Sequence, residues 1–328
     1  MTIRIYCALL LACCVPRAAA TDAVTFATNW YAQAEHGGFY QAQAEGIYER
    51  YGLDVTIRMG GPQVNGLQLL AAGQVDFLMG VPISSVHAVA EGLPVVSVAA
   101  IFQKDPLVII AHPDVRSLDD IARQQQALFV SSSAYSSYFP WLKARYGFRD
   151  DMARPYSFSV MPFLKNPQSA QQGLLTSEPF AISQSGLMPQ VFLMSDFGYP
   201  PYAETIETTH AMLNEKPDVV RRFVRASIEG WVSYLANPAA GNRLIVQDNP
   251  EMTEEQLYFG LEAMRTYGIV AGGDAVQGGI GVMTHERWQK LYDFLREASL
   301  LTQALDIHQV YSLDFLPASP LLADTFHQ

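Results

Sequence analysis

The chain has 328 residues, 49% of them hydrophobic, and its 21 Lys and Arg against 32 Asp and Glu give a formal net charge of −11. That balance offers no electrostatic footing for nucleic acid or an anionic lipid surface. The length suffices for a large core and for two lobes.

Residues 1–20 read as a secretory signal peptide. Arg4 supplies the basic start, Cys7 to Val15 the short apolar run, and Ala18-Ala19-Ala20 a small-residue cleavage site before Thr21. The run is well short of the ~20 residues a membrane span needs. The alternative is a lipobox at Leu10-Leu11-Ala12-Cys13, with a lipid anchor on Cys13. Cys7, Cys13 and Cys14 are the three cysteines of the chain and all fall in this segment. The mature chain is therefore expected to have no disulfide, thiolate nucleophile or cysteine metal site. Losing Arg4 and Arg17 leaves 19 basic residues against 32 acidic ones, or −13.

Val24 to Thr28 reads as a first strand, and Phe39 to Tyr51 as a helix stopped by Gly52. Leu53 to Met59 alternates apolar and polar, as a strand with one buried face does. Gly60-Gly61-Pro62 breaks it, Val64 to Ala72 reads as helix, and Asp76 to Met79 as strand. This β-α-β-α-β opening predicts a parallel sheet with right-handed crossovers. A helix over Ile83 to Glu91 follows, then strands over Val95 to Phe102 and Leu107 to Ala111. Ser117 caps a short helix to Arg123, with Asp119 and Asp120 in its first turn. Leu128 to Ser131 reads as strand, a serine cluster and a helix through Trp141 to Tyr146 come next, and Ser157 to Met161 reads as strand. The last third is helical: a long amphipathic helix from Lys216-Pro217-Asp218 to Asn237-Pro238, then Thr253 to Tyr267 and His285 to Leu295. The run after Ala298 reads as a tail. The class is α/β in front and helical behind.

The stretch Asn29-Trp30-Tyr31-Ala32-Gln33-Ala34-Glu35-His36, continued by Gly37-Gly38-Phe39-Tyr40 and by Gly46 through Val55, resembles the opening of thiamine-pyrimidine-synthase-like periplasmic binding proteins. The likeness returns at Gly60-Gly61, Thr176-Ser177-Glu178-Pro179, Asp196-Phe197-Gly198-Tyr199, Asn214 through Val220 and Glu286-Arg287-Trp288. The resemblance implies a type II periplasmic-binding-protein fold, with two α/β lobes and a ligand cleft between them. Lobe 1 would be discontinuous, residues 22–105 plus 206–328, and lobe 2 would be residues 106–205. The crossings would lie near Lys104 to Leu107 and Thr205 to Met212. It also implies a monomeric periplasmic protein that passes a small molecule to the permease of an ABC importer.

Loops at the carboxyl ends of parallel strands are where open α/β sheets bind ligands. Trp30 follows the first strand and could stack on a planar ring; the plain alternative is a core tryptophan. Asn29 could read a heterocycle's edge, or be a turn residue. His36 matches the family's histidine, and would either bind a polar ligand group or pack locally. Gly60 and Gly61 allow close backbone approach beside a helix N-terminus, or form a simple turn. Ser132 and Tyr135, in the serine cluster before a helix, would hold the ligand from the second lobe. Glu178 could accept N–H donors from an aminopyrimidine, or be a solvated loop acid. Tyr199, among prolines and a glycine, would line the same opening or stiffen its loop.

No catalytic residue, metal site or cofactor is expected. The fungal pyrimidine synthases that share the fold carry a cysteine-rich iron-binding motif, whereas the cysteines here end at Cys14. No lysine stands between Trp30 and His36 to form a Schiff base, and the seven histidines show no zinc spacing. A thiamine pyrimidine precursor leads as ligand, followed by riboflavin or another flat heterocycle, then a sulfonate or other small anion. Asn29, Ala32 and Gln33 stand where pyrimidine-binding members have Asp, Pro and Asn. A pyrimidine-synthase-like enzyme and a receptor-linked sensor are the rival classes.

Overall fold

Ten strands form two separate five-stranded sheets in the computed structural model, which describes residues 21–61 and 63–322. The signal peptide and lipobox readings, Cys13 included, lie outside the described residues. In chain order the strands are β1 (Asp22–Ala27), β2 (Leu53–Arg58), β3 (Phe77–Gly80), β4 (Val95–Phe102), β5 (Leu107–Ala111), β6 (Ala127–Val130), β7 (Ala153–Pro155), β8 (Ser169–Leu174), β9 (Gln190–Leu193) and β10 (Ala203–Thr209).

The first sheet has the order β2-β1-β3-β10-β4. β1 pairs in parallel with β2 and β3, and β10 runs antiparallel between β3 and β4. β4 is buried along its whole length, in keeping with a sequence apolar at every position but Ser97. β2 alternates buried and exposed positions, as its sequence does. The second sheet has the order β7-β6-β8-β5-β9, with β6 parallel to β7 and β8, and β5 antiparallel to β8 and β9. The chain leaves the first sheet after Phe102, enters the second at Leu107, and is back in the first at Ala203. Pairing with the first sheet thus begins a little before the expected return crossing at Thr205.

The long helix Pro217–Ala236 covers the first sheet with one apolar face. Its Phe223 ring stacks on Phe77 at 4.1 Å and on Tyr48 at 5.5 Å. Side chains cap several helices: Ser117 accepts from Asp120 N, Thr253 from Gln256 N and Thr284 from Arg287 N, for example.

Four expectations give way to the structure. The helix read over Phe39 to Tyr51 is two helices, Gly37–Ala44 and Ile47–Arg50, because Gly46 turns left-handed between them at φ 64°. Ser157 to Met161 is no strand; it leads into the helix Met161–Lys165, and Phe158 takes a left-handed φ of 56°, outside the extended region. The strands β7, β8, β9 and β10 and, among the helices, Ala239–Asp248 went unread. The run after Ala298 is no tail: Leu301, Ile307, Val310 and Tyr311 are buried. Tyr311 stacks on Trp288 at 5.0 Å and its backbone bridges to Ser97 of β4.

Candidate functional site: a cleft between the lobes

Turns after β1, β6, β7 and β8 bring polar and aromatic side chains together around a cavity of about 450 Å3. Asn29 and Trp30 come from the turn after β1, in the first lobe. Ser131 and Ser133 follow β6, Tyr156 and Phe158 follow β7, and Ser177 and Glu178 follow β8, all in the second lobe. Glu204 reaches the cavity from β10, the returning strand.

Two aromatic rings face each other here. Trp30 and Phe158 have ring planes 24° apart and centroids 6.5 Å apart. Phe158 is 73% exposed, so it has little packing of its own. Tyr31 packs edge-on against Trp30 at 5.8 Å, and Tyr156 lies 5.4 Å from Phe158.

The polar groups are held from behind. In the second lobe, Glu178 accepts the Tyr156 hydroxyl on Oε1 at 2.7 Å and the Leu174 N–H on Oε2 at 2.7 Å. Gln172 Oε1 accepts from Ser131 N at 2.5 Å and from the Tyr138 hydroxyl at 2.6 Å, so the amide is anchored by its oxygen. In the first lobe, a relay runs inward from the cleft. Asn29 Nδ2 donates to Glu204 Oε2 at 2.8 Å, and Asn29 Oδ1 lies 3.2 Å from His36 Nε2. His36 Nδ1 accepts the Gln33 N–H at 3.1 Å. Burial lowers the His36 pKa to about 3, so the ring is neutral. With Nδ1 an acceptor, the ring's one hydrogen is assigned to Nε2, facing Asn29. Burial pushes the Glu204 acid well above the usual carboxylate range, and the nearby Glu35 and Asp105 push it further.

The profile of the family described as NMT1/THI5 like matches residues 33–241. The chain belongs to this family. It is 25% identical over 305 residues to the riboflavin-binding protein RibY of Chloroflexus aurantiacus, covering 90% of this chain and 86% of that one. It is 24% identical over 327 residues to the formylaminopyrimidine-binding protein of Halalkalibacterium halodurans, covering 93% and 95%. Among solved structures, the periplasmic aliphatic sulphonate binding protein SsuA of Escherichia coli superposes with a TM-score of 0.68 at 13% identity, covering 92% of this chain and 93% of that one. The NMT1/THI5-like chain thus has the two-lobed type II periplasmic-binding-protein fold.

Of the residues singled out in this NMT1/THI5-like sequence, Asn29, Trp30 and Glu178 line the cleft. His36 does not; it is fully buried behind Asn29 and sets that amide's orientation. Gly60 and Gly61 do not line it either. The Gly60 N–H donates to Thr28 Oγ1 at 3.0 Å, and a Cβ on Gly60 would lie 2.3 Å from Thr28 O, so this glycine lets two turns touch. A Cβ on Gly61 would meet the Tyr31 ring at 3.1 Å. The next helix starts only at Gly66, capped by Asn65, so its N-terminus is not at the glycine pair. Ser132 and Tyr135 are exposed on the short helix Ser132–Ser136 and off the cleft; Ser131 and Ser133 line it instead. Tyr199 is 3% exposed, edge-on between Trp141 and Phe294 in the core. The sequence reading missed Tyr156, Phe158, Gln172 and Glu204. Gln172 and Glu204 sit on strands too polar to be read as strands. Phe158 lay in a segment wrongly taken for one.

Proposed function

We propose that this NMT1/THI5-like protein is an extracytoplasmic solute-binding protein of an ABC importer, and that it captures a small uncharged planar heterocycle by closing its two lobes around it. The observation that carries this reading is the make-up of the cleft. A flat, apolar slot between Trp30 and Phe158 is bordered by two carboxyl groups, Glu178 and Glu204, and none of the described lining residues is Lys, Arg or His. An anionic sulfonate would meet two acids and no cation there, whereas the N–H groups of an aminopyrimidine or an isoalloxazine ring would find acceptors. The names of the two relatives above, one a riboflavin-binding and one a formylaminopyrimidine-binding protein, support the same ligand class. The signal-peptide reading of residues 1–20 supports a periplasmic location for a monomer that docks on an inner-membrane permease.

A thermal-shift screen tests the ligand class. Hydroxymethylpyrimidine, formylaminopyrimidine and riboflavin are set against taurine and an alkanesulfonate. A ligand at 100-fold over its dissociation constant adds about 2.7 kcal/mol of stability. A shift from a heterocycle supports the reading, and a shift from a sulfonate alone overturns it. Small-angle scattering with and without the active compound tests lobe closure: superimposable curves would speak against it.

A further inference from the structure

Glu204 differs from the other cleft carboxyl, Glu178. It is the second residue of β10, and its backbone is left-handed, at φ 49°, between Ala203 and Thr205, which both pair with β4. Side chains other than glycine rarely take this conformation, and such outliers gather where a ligand is held. One of its oxygens is already taken, since Oε2 accepts the Asn29 amide hydrogen. The neutral His36 behind Asn29 presents Nε2–H to Asn29 Oδ1, so the Asn29 amide can only turn its N–H2 toward Glu204. The ionisable groups around Glu204 are acids: Glu35 from the short helix Ala34–His36, Asp105 from the crossing segment, and Glu207 three residues on in β10. Arg287 lies near Asp105, and among the described residues Glu204 forms no ion pair.

From this geometry we propose that Glu204 meets the ligand as a neutral carboxylic acid, its Oε1 hydroxyl donating a hydrogen bond to an acceptor atom of the heterocycle. Glu178, fixed by two N–H and O–H donors, stays an acceptor for the ligand's own N–H groups. The cleft would then read a ring with an N–H edge and a separate ring nitrogen or carbonyl. Desolvation among like charges supports the retained proton. The inference rests on the heterocycle reading above and adds the donor role.

Two measurements on the purified full protein test it. In the first, carbon-13 resonances of labelled glutamate carboxyls are followed against pH, with Glu204→Gln used for assignment. The expected result is one buried carboxyl still protonated at neutral pH and absent from the variant; an ionised Glu204 overturns the proposal. In the second, binding of riboflavin and of formylaminopyrimidine is titrated against pH. Above the raised pKa of Glu204, wild-type affinity should fall by about tenfold per pH unit. Glu204→Gln, which keeps a donor and an acceptor, should lose that pH dependence. Glu204→Ala should weaken binding by about tenfold, and by more than Glu204→Gln does. Equal losses in the two variants, or an unchanged pH profile in Glu204→Gln, overturn the donor role alone. Silence of the wild type toward both heterocycles overturns the ligand reading and the donor role with it.

Discussion

Trp30 in the first lobe and Phe158 in the second face each other with ring planes 24° apart and a centroid separation of 6.5 Å. Carbon atoms make their best contact at ~3.5–4.0 Å, so a flat ring touching both faces needs them about 7–8 Å apart, and the two rings must part by roughly 1 Å to admit it. Because the two rings come from different lobes, a ligand between them also ties the lobes together.

Trp30→Ala and Phe158→Ala should each weaken heterocycle binding by about tenfold, the loss of one stacked face. Phe158→Ala should leave unfolding free energy within about 0.5 kcal/mol of wild type, because the side chain is mostly in solvent. Titration calorimetry and urea denaturation check the two halves. Full binding by the Phe158 variant would remove this ring from the site.

Gly60→Ala should disturb the turn that carries Asn29 and Trp30. The new Cβ would lie 2.3 Å from Thr28 O and 2.9 Å from the Asn29 carbonyl carbon, and backbone cannot swing aside as a side chain can. Overpacking of this kind costs about 1–3 kcal/mol. Gly61→Ala meets only the rim of the Tyr31 ring, at 3.1 Å, and should be milder. Equal binding losses in the two variants would count against a specific supporting role for Gly60.

Arg287 holds both crossing segments to the helix His285–Glu297. Its guanidinium lies over the Tyr202 ring at 4.3 Å and donates to the carbonyls of Gln103, Pro200 and Pro201 at 2.6, 2.9 and 3.1 Å. Arg287→Ala should destabilise the protein by about 3 kcal/mol. Arg287→Lys should recover only part of this, since an ammonium cannot span three carbonyls as a planar fork can. Urea denaturation curves for both variants decide it.

Glu207 predicts a pH dependence of stability. It is fully buried, and burial raises its acid from 4.5 to about 7. The folded chain therefore keeps a proton that the unfolded chain releases earlier. Its contribution favours folding below the ordinary value of 4.5 and is lost as pH rises through about 7. Glu207→Gln keeps an acceptor for the Ser85 and Thr205 hydroxyls and brings an N–H2 for Ser97 Oγ, which has no partner among the described residues. Relative to wild type, the variant should gain about 2 kcal/mol of stability between pH 5 and pH 8. The same difference from wild type at both pH values would show that Glu207 does not titrate in this range.

The parts of the fold legible in the sequence are those with strong local patterns. β2 shows its alternation, β4 its apolar run, and the helix Leu118–Arg123 its serine cap. β8 was illegible because Ser169-Ala170-Gln171-Gln172-Gly173-Leu174 carries no apolar alternation, and its pairing with β5 and β6 comes from elsewhere in the chain. In the site, Trp30 and Glu178 could be named because the family resemblance places an aromatic and a carboxyl there. Tyr199 was misplaced, because a tyrosine among prolines looks alike whether it lines a cleft or fills a core.

The sequence alone determined the class of this protein, its alternation of strands and helices, the acidic surface and the resemblance that led to the cleft. These are carried by composition and by patterns within a few residues of each other. Only the tertiary structure decided which side chains reach the ligand. His36 and Asn29 are seven residues apart and Glu204 lies 175 residues beyond Asn29, yet one hydrogen-bond relay joins them. Phe158 meets Trp30 only because two lobes fold against each other, and burial among distant acids, not the residue type, raises the Glu204 acid.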